Sequence, residues 1–213
     1  MNRALLKVIV AVVVLGGLGV LFVRSAQNVR SEPYEIARSR LAGWTLAIDS
    51  APNLSGVVLS LRPDNETAAM LFSQVFSRSG ETLSGPVPAA IPIVLQREFD
   101  RARAGTLMPD ALLTSARAAG LGSSALEPRC MAHRRISEPG ITRQVYFVRF
   151  EWPAFTRFRQ QIAEDMRAAG GSGVDPAALS PVLIVAASDA AFGRWLPLRA
   201  EEEDDCLAPM AVK

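Results

Sequence analysis

From position 4 to position 23 the chain reads ALLKVIVAVVVLGGLGVLFV, and residues 8–23 are sixteen consecutive residues without a polar side chain. A stretch of that kind constrains the chain more than anything else in it. Twenty residues of helix at about 1.5 Å each reach roughly 30 Å, the thickness of a bilayer's hydrocarbon core. Lys7 lies at one end, where a long stem lets its ammonium reach the headgroups, and Arg24 closes the run at the other. The expectation is one transmembrane anchor over residues 1–24, with Lys7 and Arg24 as its membrane-interface residues. A cleaved signal peptide shares the basic start and the apolar run, but cleavage after Ala26 would put Arg24 where a small residue is needed.

Gly16 and Gly19 lie three apart within the run, on one helical face. A missing side chain lets a second helix approach the backbone, so these two are the candidate helix-packing residues, although the spacing is not GxxxG. Orientation has arguments on both sides. Counting nearby bases favours a cytoplasmic C-terminal part, whereas a short basic tail before the first apolar run favours retention of that tail inside. The second arrangement is expected here, with the C-terminal domain extracytoplasmic. The chain holds 32 Ala, and 21 Arg against 2 Lys, the usage of a GC-rich bacterial gene. That makes the membrane a bacterial inner membrane and the compartment a periplasm.

Charge is split along the chain. Residues 1–30 carry four bases and no acid, leaving 19 bases and 21 acids for the remaining 183 residues. A faintly acidic folded part lacks the basic stripe of a nucleic-acid binder. Hydrophobic residues make up 49% of the whole, too many for a disordered chain. Residues 25–42 read as a polar connector, with Pro33 stopping any continuation of the anchor helix and a short helix over 35–41. Residues 43–213 read as one α+β domain, a mixed or antiparallel sheet with helices packed on it.

Within that domain, alternation at 44–48 and the β-branched run at 56–61 predict two strands. Asp64-Asn65-Glu66 offers a helix N-cap before 67–77, and Pro109 opens a helix that Gly120 closes. Residues 93–104 start like a strand and end like a charged helix. The arms 129–136 and 142–151 flank the turn signal Ser137-Glu138-Pro139-Gly140. In the second arm both alternating faces are apolar, which predicts a central strand covered on both sides. An amphipathic helix over 154–169 follows, then strands at 181–187 and 206–212.

Chemistry-bearing patterns are few. His133 is the only histidine, and on a strand it points away from Cys130, so no Cys–His pair forms. No G-x-S-x-G elbow, zinc or haem spacing, or phosphate-binding loop is present. The acids at 201–205 read as a solvated loop, with cation or basic-partner contact as the sharper alternative. No catalytic residue, cofactor or metal is expected. The candidate disulfide is Cys130 with Cys206, a bridge that would tie the C-terminal tail to the sheet and stabilise by roughly 4–5 kcal/mol in the chain-entropy account. Two unpaired small hydrophobes are the alternative.

These features predict a non-catalytic, single-pass accessory or assembly subunit, bracing a larger membrane complex of respiratory or photosynthetic type. Its partners would be the lipid bilayer and other membrane protein subunits, not nucleic acid, and no small-molecule ligand is indicated. An anchored periplasmic binding module of a cell-envelope or secretion machine is the alternative, and an anchored periplasmic enzyme the third.

Overall fold

The computed structural model describes residues 14–16, 32–49, 56–102, 108–196, 198–199 and 205–213. The chain divides into Met1–Glu32 and Pro33–Lys213. In the first unit residues 14–16 are helical, and a Cβ added to Gly16 would meet nothing within 4 Å. Lys7, Gly19 and Arg24 lie outside the described residues, as does most of the apolar run. Among the described residues no helix is long and apolar enough to cross a membrane.

The second unit is a mixed α+β fold. Its strands are β1 (Tyr34–Ile36), β2 (Thr45–Ile48), β3 (Val57–Arg62), β4 (Ile91–Leu95), β5 (Glu127–Glu138), β6 (Ile141–Glu151), β7 (Val182–Ala187) and β8 (Cys206–Val212). Its helices are α1 (Asn65–Ser79), α2 (Gln96–Ala102), α3 (Pro109–Ala118) and α4 (Pro153–Ala168). The single sheet expected from the sequence is divided in two. Five strands run in the order β1-β8-β5-β6-β7, and a separate antiparallel sheet is ordered β2-β3-β4. Only the β1–β8 pair of the larger sheet is parallel. Bulges interrupt β5 against β6, β5 against β8 and β6 against β7, and each extra residue bends and twists its strand, so the sheet curls.

Local sequence accounts for most elements. Asp64 caps α1 by accepting from the Thr67 amide at 2.7 Å and the Thr67 hydroxyl at 2.8 Å. Gly80 ends that helix in the left-handed conformation. Glu138 pairs with Ile141 across Pro139-Gly140, and Gly140 supplies the positive φ of 81° that so short a connection demands. The stretch at 93–104, open in the sequence, resolves as β4 followed directly by α2. Tyr34–Ile36 forms a strand and Arg38–Leu41 a 3-10 turn where the sequence suggests a helix within a polar connector. Tyr34 and Ile36 are buried with exposed Glu35 between them, a strand pattern only three residues long.

The main core lies on one face of the larger sheet. Met131, Tyr146, Val148, Phe150, Leu183 and Val185 meet Leu59, Leu61, Ile91 and Ile93 of the smaller sheet, with Phe155, Phe158 and Ile162 of α4. The opposite face, carrying Ala132, Val145, Phe147 and Ile184, packs under Phe192, Trp195 and Leu198. Strand β6 is therefore buried on both sides, as its twin apolar faces predict. At the heart of α4, Arg159 is completely buried and spends all five donors. It donates to the carbonyls of Pro176 (3.0 Å), Ile93 (2.8 Å) and Asp175, and to both carboxylate oxygens of Glu98 (2.8 and 3.3 Å).

Candidate functional site

An apolar groove lies beside β7. Leu183, Ile184 and Val185 form its floor, Asn65, Ala68, Ala69 and Phe72 of α1 one wall, and residues 85–89 the other, enclosing about 430 Å³. Asn65 supplies the only polar side chain among these residues. The walls come close at Gly85, where a Cβ would stand 3.1 Å from the Phe72 ring and the ring would have to shift. The Val87–Pro88 bond is cis, and Val87 projects at the rim with 74% of its surface exposed. Phe72 stacks on Phe76 at 5.9 Å, and Phe76 is itself half exposed, so the apolar surface continues along α1.

The floor is also a strand edge. β7 is the last strand of its sheet, paired with β6 on one side only. Alternate residues of an antiparallel edge strand turn their N–H and C=O away from the neighbour. Pro181 accepts from the Phe150 amide, which directs 181 and 183 toward β6 and turns Val182 and Ile184 outward. Farther along, Ser84 occupies the outer edge by exchanging both backbone bonds with Ala187, at 2.8 and 2.9 Å. Among the described residues, Ile184 pairs with Phe147 of β6 on its inner side and with no strand on its outer side. The other edge of the same sheet is protected differently: the Gln74 amide bonds both the N–H and the C=O of Glu35 at 2.8 Å, as a neighbouring strand would. A wider cleft of about 670 Å³ is lined by Arg38, residues 41–43, residues 122–128 and Val212.

One group of titratable side chains converges midway along the β5–β6 hairpin. His133 stacks on Tyr146 at 4.5 Å and shares a 3.1 Å hydrogen bond with the Gln144 side chain. Gln144 donates to Glu81, Tyr146 donates to the same carboxylate at 3.4 Å, and Arg135 stands 3.7 Å from it. Burial, then the negative charge of Glu81, pushes the Tyr146 hydroxyl up to about 12, so it stays protonated as a donor. Tyr34 is likewise raised by burial, against the lowering influence of Arg78, whose guanidinium lies 4.2 Å from the ring centre. These groups satisfy one another. Among the described residues no group of three His, Cys, Asp or Glu could hold a metal ion. Of the acidic run, Asp205 is described and pairs with Arg134 at 2.5 Å.

Cys130 and Cys206 are joined in a disulfide, with Cα atoms 5.7 Å apart. The sequence singled out this pair because two cysteines in an extracytoplasmic domain commonly pair and each begins a predicted strand; the structure places the two strands side by side. It did not single out the groove. Pro86-Val87-Pro88 reads as a loop, and the one signal it offered was a valine between two prolines where a loop tip would ordinarily be polar. No known protein family, curated protein or solved structure matches this chain.

Proposed function

We propose that the chain is a non-catalytic accessory subunit, anchored in a bacterial inner membrane by residues 4–23, whose periplasmic domain braces a larger membrane complex. In this reading an extended apolar segment of a partner subunit lies in the groove beside β7. Its backbone adds to the free edge at Ile184, and its alternate side chains pack on Phe72 and Val87. The open strand edge floored by Ile184 and walled by apolar residues carries the proposal, because main-chain pairing gives affinity and the walls give selectivity. A soluble peptide ligand, as in a binding module of a cell-envelope or secretion machine, would use the same groove and is the second reading.

Gentle detergent extraction of the tagged full chain, followed by size analysis and mass spectrometry, tests it. The wild type is expected in a large species with defined membrane partners. Val87→Asp and Ala69→Arg, both at exposed positions, should release those partners while leaving the circular dichroism unchanged. Gly16→Leu with Gly19→Leu probes the membrane segment separately. Migration of the wild type as a lone 22.9 kDa protein, with every membrane complex unaffected by its deletion, would refute the subunit reading.

A further inference from the structure

We propose that the Cys130–Cys206 bridge is a redox latch: its reduction by a dithiol releases β8 from the middle of the sheet while the remainder of the domain stays folded. The inference goes beyond the groove and is independent of it.

Packing holds β8 weakly for a strand with neighbours on both sides. Of its seven residues only Ala208 is buried, at 5% exposure. Its pairing with β5 covers Cys130↔Pro209, Met131↔Ala208 and Ala132↔Cys206, with an irregularity between the last two, and Pro209 has no N–H to give. Its pairing with β1 is three residues long. Beyond the strand, Lys213 exchanges backbone bonds with Ile36 and Arg38 and reaches Glu35 at 2.5 Å, an exposed ion pair of small worth. The covalent bridge, closing a separation of 76 residues, is thus the strongest single restraint on the strand.

Strand β1 has its own anchorage and need not follow. Tyr34 and Ile36 are almost wholly buried in the main core, Gln74 holds Glu35, and Arg78 donates to the Pro33 carbonyl at 3.0 Å. Departure of β8 would therefore leave a slot one strand wide between β1 and β5, with unpaired backbone groups on both sides. The chemistry is ordinary thiol–disulfide exchange. A reductant thiolate attacks the sulfur of Cys206, the exposed partner, and the S–S bond breaks with Cys130 leaving as a thiolate that takes a proton. The reductant's second thiol then displaces Cys206 from the mixed disulfide. Two electrons pass from the dithiol to the bridge, yielding two cysteine thiols and a cyclic oxidised reductant.

Hydrogen exchange read by mass spectrometry on the full chain, with and without a dithiol, tests the latch. Thiol counting in parallel reports the state of the bridge. Amides of residues 207–212, apart from Pro209, should lose protection by a factor on the order of a hundred to a thousand. The Arg38 amide, which donates to Lys213, should exchange faster, while the Glu35 amide, held by Gln74, keeps its rate. Protection across β6, β7 and α4 should persist. The double variant Cys130→Ser with Cys206→Ser should reproduce the reduced pattern without reductant. A bridge that resists the dithiol in the folded chain, β8 amides unchanged after reduction, or loss of protection throughout the domain would each overturn the proposal.

Discussion

Replacing Arg159 with Met should cost about 4 kcal/mol or more of folding stability, although the position lies on a helix and the substitute has high helix propensity. Met keeps an apolar stem of similar length, so the loss belongs to the guanidinium, whose central carbon also lies 5.9 Å from the centre of the Phe155 ring. Five donors disappear together, leaving the Glu98 carboxylate and the carbonyls of Ile93, Asp175 and Pro176 without that partner. The Glu98 side chain is only 11% exposed, and removing one partner of a buried ion pair typically costs about 3–5 kcal/mol. Each carbonyl left unpaired adds roughly 1 kcal/mol or more unless water enters.

A domain of ordinary stability has about 5–15 kcal/mol in all, so the urea midpoint should fall by at least about a quarter. The assay is equilibrium urea unfolding followed by circular dichroism. Glu98→Gln, measured alone and together with Arg159→Met, closes a double-mutant cycle. The double variant should lose less than the sum of the two single losses, because a neutral amide tolerates burial without the arginine better than a carboxylate does. Exposed Arg129 and Glu151, which pair on the surface of the β5–β6 ladder, provide a control pair whose removal should cost well under about 1 kcal/mol. A loss below about 1 kcal/mol for Arg159→Met would refute the argument that this guanidinium ties α4 to β4 and α2.

Two further outcomes follow from the titrating groups. The chain has two tyrosines, both raised above the usual value of about 10 and Tyr146 to about 12, so tyrosinate absorbance at pH 10 should be lower in the folded protein than after unfolding. Because the folded values exceed the unfolded ones, their contribution to stability is complete below about pH 10 and is lost as the pH rises toward 12. Tyr146→Phe should flatten that decline, and an unchanged slope would contradict the placement beside Glu81. Asp64 behaves in the opposite sense. The Thr67 amide, the Thr67 hydroxyl and Arg40 hold its carboxyl below the ordinary range, so its contribution is present above about pH 4 and lost as the pH falls through the lowered value. Asp64→Ala should cost about 1 kcal/mol at neutral pH, read as a shift in thermal midpoint, and a neutral result would deny the cap.

Much of the fold is written locally in the chain. The β5–β6 hairpin follows from two alternating arms around Pro139-Gly140, and β6 shows its burial on both faces because both of its alternating sets are apolar. α1 begins at an aspartate and ends at a glycine because those residues satisfy helix ends, and β8 begins at Cys206 as its pattern indicates. Arg159 is an instructive failure. It follows Phe158 and sits on the same face as Phe155 and Ile162, so the sequence places a charge within an apolar stripe. Its partner, Glu98, is 61 residues away, and no local pattern can announce that.

What the sequence determined by itself is the set of elements, because period, caps and turns depend on contacts between residues a few positions apart. It also marked the apolar run at residues 4–23 and the two cysteines that come to share a bond. Only the tertiary structure decided that β1 belongs to the sheet, since its strand partner β8 lies at the other end of the chain. It also divided the strands into two sheets and left β7 at an edge. The groove exists for the same reason: α1, the loop at 85–89 and β7 are far apart along the chain, and a concavity is a property of the space between them.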